Sequence, residues 1–162
     1  MREFGDINSF VSHLAVMEIG VRKGLESGLE RVAKKVEKSA KAELGTYQPE
    51  VGPFQDWADL ADSTKEQRVS QGYTEDDPGL RNGKMRDSIK HQVDGLEAQI
   101  GSNDDKLVYF EFGTDKQPPR PVLGPAVVHN NSVMKKILGG AVVGGLIGGD
   151  AIHSSLGYDH EI

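Results

Sequence analysis

The chain is expected to be an α+β domain, with helices packed on one face of a small antiparallel sheet of about three strands. Three observations predict it. From about Ile7 to Leu44 the apolar residues Phe10, Leu14, Met17, Val21, Leu25, Leu29, Val32, Val36 and Ala40 recur at steps of three and four, the signature of one long amphipathic helix. Two runs alternating at period two, Ile89 to Val93 and Leu96 to Ile100, flank an Asp94-Gly95 pair, the strongest short hairpin signal. A third alternating run, Leu107 to Phe112, supplies a third strand with Val108, Phe110 and Phe112 on one face and Tyr109 and Glu111 on the other. The order of helix, short helix, three strands and helix places the chain in that class. Residues 1–131 form the single domain and 132–162 a Gly-rich C-terminal extension.

Taken in order, Asp6 or Ser9 is placed to cap the long helix and Gly45 to end it in a left-handed conformation. Gly20, Gly24 and Gly28 form a row at steps of four inside it. Each costs about 1 kcal/mol relative to Ala, so the row implies either close approach by another backbone, from this chain or a neighbouring copy, or a deliberate bend. Arg31, Lys34, Lys35 and Lys38 project opposite the apolar stripe. This basic face suits DNA in a channel or an acidic partner rim, while the commoner reading of such a run is a solvated helix surface.

Thr46 to Asp59 is a loop anchored by Phe54 and Trp57, the single tryptophan. In the short helix that follows, Asp62 or Ser63 with Glu66 reads as a capping box, and Gly72 as the stop. The acidic turn Tyr73 to Gly79 contains Asp76 and Asp77, adjacent side chains that point apart into water in such a turn. After Gly113, Pro118, Pro119 and Pro121 stiffen an extended arm that holds Arg120 outward, toward a partner or an intrachain salt bridge. Ile137 to Gly149 contains 13 uncharged residues, short of the roughly 20 a membrane helix needs. Gly140, Gly144 and Gly148 form a second row there, either a smooth helical seam or a flexible tract.

Cysteine is absent, which removes disulfides and thiolate metal sites and suits cytoplasmic assembly. The opening MREFGDINSF lacks a signal-peptide pattern. A net charge of −6 argues against a general nucleic-acid binder. His13, His91, His129, His153 and His160 never stand at HxxxH spacing, no phosphate loop or nucleophile elbow occurs, and Ser88 and His91 fall on opposite strand faces. No enzyme activity, metal or cofactor is expected.

LRNGKMRDSI at Leu80 to Ile89 and YFEFGTDKQPPRPVLGPA at Tyr109 to Ala126, with segments at Val36 to Leu44 and Leu60 to Arg68, resemble in order the four motifs of the bacteriophage tail-completion or neck proteins, gene-product-ten-like. The resemblance covers roughly residues 20 to 130 and departs at Met85, usually Leu, and Val122, usually Phe. It implies a virion structural protein assembled in the host cytoplasm, forming a hexameric ring in the neck with DNA passing through as cargo. Its implied partners are the connector or stopper, the tail terminator, and the tail tube or tape-measure protein. A tail terminator capping the tube is the alternative within this class. A membrane-associated protein acting through the Gly-rich tail is the alternative from another. Arg120, Pro119, Pro121 and the two glycine rows are the candidate assembly residues, with Arg31, Lys34, Lys35 and Lys38 as the DNA or acidic-partner face.

Overall fold

The computed structural model describes residues 6–147 and combines five helices with one two-stranded antiparallel sheet. The elements are α1 (Ile7–Glu43), α2 (Asp62–Ser70), α3 (Lys84–Ser88), β1 (Ile89–Asp94), β2 (Glu97–Ser102), α4 (Asp105–Phe112) and α5 (Leu123–Ile147). They fall into two compact units. Among the described residues, one gathers 6–32, 93–98 and 132–147, and the other Ala33–Gln92 and Gln99–Asn131.

In the first unit the early part of α1 runs against the later part of α5. The Asp6 carboxylate accepts from the Ser9 amide at 2.8 Å, capping α1 from outside its first turn. Gly20, Gly24 and Gly28 line the contact, where a Cβ on Gly24 would stand 2.9 Å from the Ala141 carbonyl oxygen and one on Gly20 3.2 Å from that of Gly145. The α1 row is therefore used within the chain, and the missing side chains let two helix backbones meet. The matching seam on α5 is Leu138, Ala141 and Gly145. It lies one position off the expected row: Gly144 faces open space, and Gly148 lies outside the described residues. Continuous helix to Ile147 resolves the open choice between helix and flexible tract for 137–147.

The second unit holds most of the core: Ala33, Val36, Ala40 and Leu44 of α1, Trp57, Ile89, Leu107 and Phe110, and Val122 and Ala126. Gly45, at φ 100°, ends α1 as expected, its amide bonding the Pro78 carbonyl at 2.8 Å. β1 points Ile89, His91 and Val93 inward, and β2 Ala98 and Ile100, as alternation requires. The Glu37 carboxylate meets both the amide and the Nδ1 of His91 and also Lys41. Burial works to raise its pKa, but these two partners prevail and hold it at about 2.

Three expectations need correction. Leu107 to Phe112 is not a third strand but the helix α4, so the sheet has two strands. The Asp104 side chain accepts from the Lys106 amide at 3.0 Å, Asp105 adds negative charge to the first turn, and Gly113 ends the helix at φ 74°. With caps at both ends the period becomes 3.6, and Leu107 and Phe110 turn inward together. The capping box of α2 does not form, because the helix begins at Asp62 behind Ala61 with no side-chain cap. The hairpin turns on Gly95 and Leu96 rather than on Asp94 and Gly95, with Gly95 alone at positive φ, the pattern of a type II′ turn.

A Cβ on Gly95 would meet nothing within 4 Å, so Gly95→Val is a backbone test alone. Holding valine at φ 55° should cost about 1–2 kcal/mol. A melting temperature lowered by about 3–6 °C is expected, with Gly95→Asn much milder. A valine variant that melts with the parent contradicts the turn assignment.

Candidate assembly surfaces

The segment expected to reach outward is instead bolted into the second unit. Arg120 is 3% exposed, and its Nε and Nη2 donate to the Ala58 carbonyl at 3.0 and 2.8 Å, Nη2 also reaching the Asp59 carbonyl at 3.0 Å. Its amide bonds the Phe110 carbonyl at 2.8 Å, and the guanidinium lies 5.9 Å from the Phe110 ring centroid. Burial lowers the guanidinium pKa, with the Tyr47 and Asp59 charges opposing. The expected outward Arg120 is thus corrected, and the intrachain alternative is a fork onto main-chain carbonyls rather than a salt bridge. Pro119 is exposed and Pro121 half-buried; the Pro121 carbonyl accepts from Trp57 Nε1 at 3.0 Å, tying the loop anchor to the arm. Trp57 also sits edge-on to Phe110 at 5.3 Å between centroids.

Glu111, just before the turn, accepts from the Val122 amide at 2.8 Å and from the Leu123 amide at 3.3 Å, capping α5 from another element. Ahead of the arm, Thr114 and Gln117 pair across a tight turn. That turn and Phe112 border an open recess of about 650 Å³.

Beyond the charged first turn, where Asp105 and Lys106 are exposed, what α4 leaves outside is apolar. Phe112 is 77% exposed, Tyr109 57% and Val108 52%, and on an eight-residue helix these three share one face. Read as a strand, the segment divides differently, with Phe110 beside Val108 and Phe112. The signal that separates them was the Asp104 cap followed by Gly113. Aromatic side chains gathered on an exposed face are the composition of interface centres. In the first unit, Ile7, Phe10, Val11 and Leu14 make a second exposed apolar stripe at helical spacing near the start of α1.

Of the basic face, Arg31, Lys34 and Lys38 are exposed and Lys35 is half-buried. Asp76 is exposed, as expected, but it also accepts from Tyr47 Oη and from Lys65 at 3.1 Å, and the Tyr47 hydroxyl in turn accepts from the Leu60 amide. The Tyr47 and Lys65 hydrogen bonds hold the Asp76 carboxyl below its usual range. Among the described residues no group of three or more His, Asp or Glu is placed to hold a metal ion, and no helix is long and apolar enough to cross a membrane. No family model, curated protein or solved structure matches this chain.

Proposed function

We propose that this chain is a structural protein of the neck of a tailed bacteriophage virion, completing the tail and joining it to the head-side connector as one subunit of a ring. DNA passes through the ring, and the chain works by docking rather than by catalysis. The observation that carries the reading is the outward face of α4. The segment that bears the tail-completion motif fixes its Arg120 and Glu111 internally and leaves Val108, Tyr109 and Phe112 uncovered. A rigidly held apolar face is pre-organised for association, since little ordering remains to be done on docking. The exposed start of α1 adds a second surface of the same kind. Closed rings arise when two different surfaces of one chain meet.

The double variant Tyr109→Asp/Phe112→Asp tests this reading. Both side chains already face water, so the isolated protein should melt within about 2 °C of the parent. Joined particles in a complementation assay should fall at least tenfold. Full complementation would remove α4 from the interface, and a large loss of melting temperature would show that its outer face serves the fold.

A further inference from the structure

Glu43, the last residue of α1, is 5% exposed within the second unit. Its Oε1 lies 3.2 Å from Nδ1 of His129 on α5, while its Oε2 is buried without a hydrogen-bond partner among the described residues. The titratable groups that face it from packed elements are that histidine and Glu111 of α4. Nearby Lys41 is turned to Glu37. Glu111 is committed elsewhere, its carboxylate holding the Val122 and Leu123 amides at the start of α5. Burial first, and the Glu111 charge second, push the Glu43 carboxyl up to about 8. The His129 side chain is partly exposed, so a proton has a short route between solvent and this carboxyl.

We propose that Glu43, Glu111 and His129 form a proton-operated latch that fixes the beginning of α5 to the end of α1. With Glu43 neutral, one negative charge occupies the junction, and it is spent on the α5 cap. When Glu43 loses its proton, a second carboxylate faces the first with no donor for Oε2. Water must then reach that oxygen, and the Glu111 cap is displaced or weakened as it does. The sign follows from the raised pKa of the folded state. The junction is fully stabilised below about pH 4.5, the ordinary carboxyl value, and loses stability up to about pH 8, above which the loss is complete. The latch concerns local opening of one helix and stands apart from the neck reading.

Hydrogen exchange of the full chain, corrected for the intrinsic pH dependence of amide exchange, tests it. The amides of residues 126–130 should open about tenfold more for each pH unit from 6.5 to about 8, then level off. Glu43→Gln, which keeps the shape and cannot ionise, should hold the low-pH protection through pH 9. Glu111→Gln should raise opening at every pH, because its cap is weaker, and flatten the slope. Carbon-13 detection of the Glu43 carboxyl in the unaltered protein provides a readout that does not depend on any variant folding. A midpoint above pH 7 supports the latch; a midpoint below 6, a flat exchange profile, or an unchanged slope in Glu43→Gln overturns it.

Discussion

Arg120→Met should lower the melting temperature by about 10 °C. The methionine keeps much of the aliphatic stem but removes all three side-chain donations to Ala58 and Asp59. Those carbonyls then lose a charged, planar donor, and because Ala58 and Asp59 are themselves exposed, water replaces part of what is lost. A hydrogen bond from a charged donor contributes about 1.5–3 kcal/mol net. Two of them, with the lost packing on Phe110, place the effect at about 3 kcal/mol, and each kcal/mol moves the midpoint by about 2–4 °C at this size. Arg120→Lys should fall between, because a single ammonium cannot reproduce the planar fork. Thermal melts of the isolated protein decide it. A methionine variant that melts with the parent would return Arg120 to an external partner.

Gly145→Val and Gly144→Ala, neighbours on one helix, should move stability in opposite directions. A Cβ at Gly145 would stand 2.4 Å from Val21 Cα and 2.5 Å from its amide nitrogen. Those are main-chain atoms, so no rotamer change relieves the clash. The helices of the first unit must separate, and the packing of Gly24 and Gly28 on Ala141 and Leu138 is lost with them. We expect a loss of about 3 kcal/mol or more, against the few tenths that valine gains over glycine as a helix former. At Gly144 nothing lies within 4 Å, so alanine should only gain, by up to about 1 kcal/mol. Helical circular dichroism during melting, together with hydrogen exchange of residues 7–32, reads both. Equal behaviour of the two variants would contradict the seam.

Period and punctuation made much of the fold legible. The stripe of α1 required nothing beyond its spacing, with Asp6 and Gly45 marking its ends, and the hairpin followed from alternation about Gly95. Trp57 as an anchor was legible because a lone tryptophan in a Pro-Gly loop has few other roles. The failures have two causes, ambiguous period and partners distant in sequence. In LVYFEF, Leu107 to Phe112, the apolar residues satisfy period two nearly as well as helical spacing, and only the flanking Asp104 and Gly113 break the tie. Arg120 was misplaced because its acceptors lie 61 and 62 residues away in sequence, on carbonyls that no side-chain pattern announces. Glu111 and Glu43 escaped for a related reason: a carboxylate that caps a distant helix, or one that is buried neutral, looks in sequence like any other acidic residue. The outward face of α4 emerged only once the segment was known to be a helix.

The central claim is that this chain sits in the neck as a ring. A cryo-EM map of tailed particles carrying the chain with a C-terminal epitope, labelled by an antibody fragment, tests it most directly. The account predicts ring density at the junction of head and tail that fits α1 to α5, with the outer face of α4 covered by a neighbouring molecule and label confined to that level. Label on the tail fibres or capsid, or purified particles that lack the chain altogether, would contradict it.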